Sequence, residues 1–364
     1  MLSFKNFFSN IYLIIKQYPI ELLFAFSGTL CMFIISGNYQ YLSNDLLQNV
    51  LMISVLGFFI NLSVTLLFNK EGFKNTYKYL LYLIILGLLI LYYYTLPSSI
   101  NDFTSNEFIH YFVLFGASFL SIFFVPQLLD KKIENFWVYS VGVLKAILIS
   151  SLYGFILFVG LSIVLLSLDY LFGVKIMSEY YLQLWSLVVG VFMSIFFLGN
   201  ITTDDSKIDI SKYENKYVLI LGKYILFSLM LVYLIILYVY GLKIVITGNW
   251  PNGMVVLLIF WYTVIGFSHY LLMRLFQKND SSSTVIKYQF NIFFYTLLPL
   301  VALYFYALWI RISDYGYTVN RMFVVFYGIF LILGTFSYIL SKNKNIKHIL
   351  YLLFSLLILS ILGP

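Results

Sequence analysis

Long apolar runs separated by short polar stretches dominate the hydrophobic pattern of this 364-residue chain. A helix that crosses about 30 Å of hydrocarbon needs about 20 apolar residues. By that measure the pattern predicts about eleven transmembrane helices, near 18–36, 48–68, 78–96, 108–127, 138–168, 180–199, 217–246, 254–273, 288–310, 322–340 and 347–362. The fifth and seventh runs are longer than one crossing requires, so we expect them to tilt, to kink or to extend outside the bilayer.

The composition excludes a soluble globular protein. Only 10% of the residues are charged and 62% are hydrophobic, whereas an ordinary soluble domain carries about 25% charged residues. So few charges do not cover a water-facing surface. The predicted fold class is therefore all-α, a polytopic helical membrane protein.

The first residues predict a separate short helix. Aromatic and aliphatic side chains recur at helical spacing over 1–17, which is typical of an amphipathic helix lying on the inner leaflet. The alternative is a plain extension of the first span. Residues 18–364 are then predicted to form a single transmembrane helical domain, because no polar run is long enough for a separate soluble domain.

Lysine and arginine fall mainly in alternate loops. One set of loops holds sixteen of these residues and the other set holds four, and basic residues are retained on the cytoplasmic side. The amino terminus is therefore predicted to be cytoplasmic. The net charge of +7 is spread over these loops rather than gathered in one stripe, so membrane lipids are the predicted partners and nucleic acid is not.

Two helical hairpins share a weak sequence similarity. Residues 145–150 match 223–228 as K-x-I-L-x-S, and residues 185–190 match 261–266 as W-x-x-V-x-G. The match predicts that helix pairs 5–6 and 7–8 are parallel repeat units, covering 138–199 and 217–273. The alternative is chance similarity between two lipid-soluble hairpins.

Polar side chains inside the predicted spans are the first candidate site. They are Lys145, Ser150, Lys223, Ser228 and His269. The two lysines lie about two turns inside the cytoplasmic ends of their helices, where a cation either extends to the headgroups or faces a polar interior. If they approach each other, they form a cationic site for anionic headgroups or an anionic solute, with Glu21 as a further neighbour.

Two outer loops form the second candidate site. Its residues are Trp250, Asn252, Arg311, Asp314, Tyr315, Thr318, Asn320 and Arg321. In the binding hypothesis the two loops converge and both arginines hold a phosphate or carboxylate, since guanidinium groups pair with such anions in bidentate fashion. The alternative is a tight turn and a capped helix end whose arginines bind outer-leaflet phosphates.

The motifs of the second half resemble a known family. R-I-S-D-Y-G-Y-T-V-N-R-M at 311–322, K-Y-I-L at 223–226 and N-W-P-N-G at 249–253 resemble the DUF4153 family of bacterial polytopic membrane proteins over roughly 217–364. The resemblance implies residence in the bacterial cytoplasmic membrane but no reaction. It also implies a carboxyl-terminal region beyond Pro364, because such proteins commonly continue after a Gly-Pro at this point.

Three functions are open at this stage. The first is transport or permease-like handling of a small anionic or lipid-like solute. The second is an envelope-assembly or sensor scaffold that binds another membrane or envelope protein, and the third is a membrane enzyme acting on lipid or cell-wall precursors near Asp314. No catalytic residue is assigned. Scattered histidines and the single cysteine, Cys31, give no metal-ligand spacing, so neither a metal nor a cofactor is predicted.

The predicted sidedness is testable with introduced cysteines in a Cys31→Ala background. A membrane-impermeant maleimide should label Ser313→Cys in intact cells but not Ser206→Cys, because the loop between spans nine and ten is predicted to face outward and the loop between spans six and seven to face the cytoplasm. After permeabilisation both variants should react. Labelling of Ser206→Cys in intact cells would invert the topology.

Overall fold

The computed structural model describes most of the chain and divides it into two compact units. The described residues are 4–37, 45–71, 75–97, 104–128, 133–172, 175–201, 219, 221–248, 254–274, 276, 282–341 and 347–362. The first unit contains 1–129 and 142–205, and the second contains 130–141 and 206–364. One boundary between them falls inside a single long helix, Ile133–Phe172.

The described part of the chain is helical and contains no strand, as the predicted fold class requires. The helices are α1 (Phe4–Gln17), α2 (Pro19–Gly37), α3 (Asp45–Glu71), α4 (Asn75–Thr95), α5 (Ser105–Phe124), α6 (Ile133–Phe172), α7 (Ser178–Leu187), α8 (Ser194–Asn200), α9 (Phe227–Thr247), α10 (Met254–Met273), α11 (Ser282–Tyr315), α12 (Val319–Leu340) and α13 (Lys347–Leu362). Two π-helical segments, π1 (Val188–Met193) and π2 (Leu221–Leu226), join α7 to α8 and precede α9. The chain is helical because hydrocarbon contains no water to hydrogen-bond with the backbone, so each backbone N–H and C=O group needs a partner within its own helix.

Ten helices in the described residues are long and apolar enough to cross a membrane. They confirm the polytopic helical class, and they correspond to the first ten predicted spans. The eleventh corresponds to α13, whose 16 residues extend about 24 Å at 1.5 Å per residue. The ninth span is also long, since α11 has 34 residues and continues through Pro299.

The amino-terminal helix leads almost directly into the first span. Tyr18 is the only residue between α1 and α2, and its N–H still donates to the Ile14 carbonyl at 2.9 Å. Pro19 occupies the first position of α2, where its missing N–H removes no helical bond. A separate short helix is thus present, with Tyr12 and Leu13 exposed; its location at the membrane surface stays a prediction.

Helix α3 is the centre of the first unit. It packs against α2, α4 and α5, while α2 also packs against α7. Small residues bring α2 and α3 together: the Ser27 and Ser54 hydroxyl oxygens are 2.8 Å apart, and a Cβ placed on Gly28 would lie 3.1 Å from Ser54 Cβ. Close approach through small side chains is how helices associate in lipid.

The second unit is held together by aromatic side chains. Helix α11 packs against α10 and α12, and α12 packs against α13. Phe294 of α11 stacks on Tyr338 of α12 with ring centroids 3.9 Å apart, and the Tyr338 hydroxyl donates to Asn291 Oδ1 at 3.0 Å. A buried phenol that finds a partner on another helix joins the two helices by both packing and hydrogen bonding.

The two π segments lie at non-equivalent positions in the proposed repeat units. π1 interrupts the second helix of 138–199, whereas π2 lies in the first helix of 217–273. The repeat therefore stays a prediction.

Helix α2 and π1 approach so closely that glycine is required at residue 190. A Cβ placed on Gly190 would overlap Thr29 Oγ1 and lie 2.9 Å from Thr29 Cβ. We expect Gly190→Ala to lower the free energy of unfolding in mixed micelles by about 1–3 kcal/mol, as overpacking does. A Thr29→Ala background should recover about 1 kcal/mol of that loss.

The matched control is Gly160→Ala on α6, where an added Cβ meets nothing within 4 Å. It should be neutral or stabilising by about 0.5–1 kcal/mol. Equal losses for Gly190→Ala with and without Thr29→Ala would contradict the close approach.

Candidate functional site

A cavity of about 270 Å³ lies in the first unit between α2, α3 and the α7–π1–α8 run. Its apolar walls include Phe24, Met32, Phe58 and Trp185. The volume is near the lower limit for small-molecule pockets. It therefore admits one hydrocarbon chain or a compact headgroup rather than a whole two-chain lipid.

Hydroxyl groups supply the polar lining of this cavity, and their protons are already engaged. Thr29 donates to Ala25 O at 2.7 Å, Ser54 to Val50 O at 2.6 Å, Ser186 to Gln183 O at 2.7 Å and Ser194 to Val189 O at 3.4 Å. A hydroxyl has one proton and two lone pairs. The cavity therefore offers hydrogen-bond acceptors to a ligand, with no charged residue in its lining.

A carboxyl group is buried one helical turn from the cavity. Glu21, in the first turn of α2, is 0% exposed, and its Oε1 contacts the Thr65 hydroxyl of α3. Thr65 also contacts Tyr82 Oη of α4 at 2.5 Å and the Asn61 carbonyl at 3.0 Å. The second carboxyl oxygen, Oε2, has no hydrogen-bond partner in the structure.

From the sequence, Glu21 is expected only as a neighbour of the lysines, and its cluster with Thr65 and Tyr82 is not predicted. A signal was present, because Glu21 is the only aspartate or glutamate within the eleven predicted spans. Acidic residues inside membrane spans are costly and commonly functional. Its partners Thr65 and Tyr82 carry no comparable signal in the sequence.

A second polar cluster surrounds His269 in the second unit. His269 is 1% exposed and lies against the rings of Phe227 and Phe290, with centroids 5.8 and 5.9 Å away. Beside it, Gln289 donates from Nε2 to the Lys223 carbonyl of π2 at 2.8 Å. His269 Nε2 and Gln289 Oε1 are both buried and lack hydrogen-bond partners in the structure.

The other predicted intramembrane residues lie in different surroundings. Lys145 and Ser228 are exposed, Ser150 is buried, and the Lys223 ammonium lies 5.4 Å from the Tyr224 ring centroid. Both serines donate to the carbonyl four residues earlier, on Ala146 and Tyr224. Since Lys145 and Lys223 belong to different units, their mutual approach stays a prediction.

The arginine loop forms a compact turn. Gly316 ends α11 in a left-handed conformation with φ of 74°, and its carbonyl accepts a hydrogen bond from Arg321 Nη1. Arg311 is half-buried and Asp314 is exposed. Thr318 precedes α12 without a capping bond from its side chain.

The remaining residues of the outer candidate site lie wholly or in part outside the described residues. Trp250 and Asn252 lie outside the described residues, as do the side chains of Tyr315 and Asn320. Convergence of the two outer loops therefore stays a prediction.

The family model described as "Domain of unknown function (DUF4153)" matches residues 23–364, nearly the whole chain. The chain belongs to the DUF4153 family. The resemblance suggested by the motifs of the second half is thus confirmed, and it extends through the first half as well. No curated protein and no solved structure matches this DUF4153 chain. Glu21 lies just before the matched region of the DUF4153 model.

The bond from Gln289 to π2 is testable by deletion of the amide. Gln289→Leu should lower the free energy of unfolding by about 1–3 kcal/mol, because the part-buried Lys223 carbonyl loses a donor. Tyr288→Leu is the matched control, since Tyr288 is 65% exposed on the same helix. Equal effects of the two substitutions on SDS-induced unfolding would show that the bond contributes nothing.

Proposed function

We propose that this DUF4153 protein is a permease-like membrane protein of the bacterial cytoplasmic membrane that binds a lipid-like solute in the cavity of the first unit. The solute carries a compact headgroup that donates hydrogen bonds and one hydrocarbon chain, and the cavity encloses the headgroup and only the adjoining part of the chain. The observation that supports this function is the composition of the cavity wall, which combines aromatic and aliphatic side chains with four serine and threonine hydroxyls.

The chemistry of the wall favours a lipid-like solute over an anionic one. An anion needs hydrogen-bond donors or cations, whereas each lining hydroxyl already donates to a helix carbonyl. A neutral headgroup with hydroxyl or amide protons donates hydrogen bonds to the lone pairs of these lining hydroxyls instead. Apolar burial of its chain supplies about 0.8 kcal/mol per methylene.

The other two functions receive less support from the geometry. An enzyme acting near Asp314 calls for a base held in a shaped environment, and the Asp314 side chain is exposed. A scaffold that only binds another protein does not call for a cavity whose apolar wall carries four hydroxyl groups.

Photo-cross-linking with two matched probes tests the proposal. A diazirine-bearing monoacylglycerol has donor hydroxyls, and a diazirine-bearing fatty acid of the same chain length carries a carboxylate. We expect the monoacylglycerol to cross-link to peptides of α2, α3 and π1 roughly fivefold more efficiently, the factor that one hydrogen bond of about 1 kcal/mol supplies.

Two valine substitutions separate the cavity from the lipid-facing surface. Val189→Phe places a phenyl ring in the cavity wall and should reduce the cross-link yield several-fold. Val164→Phe is the control, because Val164 is 53% exposed on α6. Cross-links that are spread over all helices, and that neither substitution changes, would refute binding in the cavity and favour the scaffold.

A further inference from the structure

The Glu21 cluster contains more hydrogen-bond contacts than a carboxylate form can satisfy. Thr65 Oγ1 touches three oxygens, which belong to the Glu21 carboxyl, the Tyr82 phenol and the Asn61 carbonyl. A threonine hydroxyl carries one proton and two lone pairs, so it donates once and accepts twice. The carbonyl only accepts, so it must receive the threonine proton if all three contacts are hydrogen bonds.

In the other two contacts, Thr65 must then accept a hydrogen bond from Tyr82 and from Glu21. The Tyr82 phenol supplies one proton, and Glu21 supplies the other only as a carboxylic acid. No ion pair joins Glu21 to Lys78, which is the cation that acts on it electrostatically. Burial of an unpaired carboxylate is costly, whereas the neutral acid makes all three contacts of Thr65 hydrogen bonds.

We propose that Glu21 is a proton-binding site that is loaded and unloaded through the hydroxyls of Thr65 and Tyr82. Release begins with rotation of two hydroxyls, so that Thr65 donates to Tyr82 instead of the Asn61 carbonyl and Tyr82 donates to a water molecule at the membrane surface, since Tyr82 lies two turns from the start of α4. Three protons then move by one oxygen each: from Glu21 to Thr65, from Thr65 to Tyr82, and from Tyr82 to that water. One proton leaves and one carboxylate remains. The proton that Thr65 received from Glu21 lies between the two oxygens, so the Thr65 hydroxyl now donates to Glu21 Oε1.

The groups around this relay come from the α1–α2 junction and from α4. Tyr18 lies at the α1–α2 junction and is buried beside Glu21. On α4, the Lys78 ammonium lies 5.8 Å from the Tyr82 ring centroid, and the Tyr79 ring packs edge-on against Tyr82. A cation beside Tyr82 lowers the energy of a carboxylate left after proton release.

The proton site shares a helix face with the cavity. Phe24 and Ala25 of the cavity wall follow Glu21 by three and four residues, which places them on the same face of α2. A change of charge at Glu21 therefore occurs one turn from the bound solute. The proton site itself does not depend on the proposed function and is testable without any solute.

Infrared spectroscopy of the full chain in lipid nanodiscs measures the protonation directly. At neutral pH we expect a carbonyl stretching band of a carboxylic acid that is absent from Glu21→Gln. The matched control is Glu107→Gln, at the exposed start of α5, which should retain the band. If the band is absent from the folded wild-type protein, or persists unchanged in Glu21→Gln, the proton site is refuted.

Exchange into heavy water tests the relay separately. Thr65→Val and Tyr82→Phe should slow the deuterium shift of the Glu21 band by roughly tenfold, because each removes one hydroxyl from the path. Thr65→Ser keeps a hydroxyl and should behave like the wild type. Equal exchange rates in the Val and Ser variants would refute the relay.

A second measurement covers the case in which Glu21→Gln fails to insert. Thr65→Val leaves Glu21 intact but removes its hydrogen-bond partner, so the carboxylic-acid band should move to higher frequency. An unmoved band would overturn the assignment to Glu21.

Discussion

The absence of water from hydrocarbon is the constraint on which the rest of this structure depends. Backbone groups are bonded within helices, and many hydroxyls bond back to their own helix, as Thr29, Ser150 and Thr335 do to the carbonyl four residues earlier. Such a hydroxyl presents only lone pairs to its surroundings. This explains why the hydroxyl groups of the cavity wall present acceptors, and why donors from a neighbouring helix, such as Gln289 and Tyr304, join the helices.

The sequence predicted the spans well because hydropathy reports the solvent of each helix. It predicted helix faces poorly, since helices such as α10 and α11 are apolar on nearly every side and have no polar stripe to orient them. Glu21 and Thr65 are 44 residues apart, and their contact follows only from the packing of α2 on α3. His269 was singled out from the sequence, but its neighbour Gln289 was not, because a glutamine at the edge of a span resembles an ordinary boundary residue.

Irregular backbone accompanies both polar regions, although no residue pattern announced it. π1 contributes Val189 and Gly190 to the cavity wall, and π2 contributes the Lys223 carbonyl that Gln289 binds. A π turn shifts the helical hydrogen-bond register and leaves carbonyls open to side chains. In lipid such a carbonyl needs a side-chain partner, which is Ser194 of the same helical run for the Val189 carbonyl and Gln289 of another helix for the Lys223 carbonyl.

The α2–α3 contact contains polar groups at successive levels along the helices. Glu21 meets Thr65 near one end, and Ser27 meets Ser54 further along, beside the close approach at Gly28. Hydrogen bonds between helices in lipid contribute about 0.6 kcal/mol each on average, so these few contacts fix register rather than supply most of the stability. An interface fixed by weak polar contacts accommodates a change in one of them without separating. The same helix pair therefore carries the buried carboxyl group near one end and lines the cavity further along.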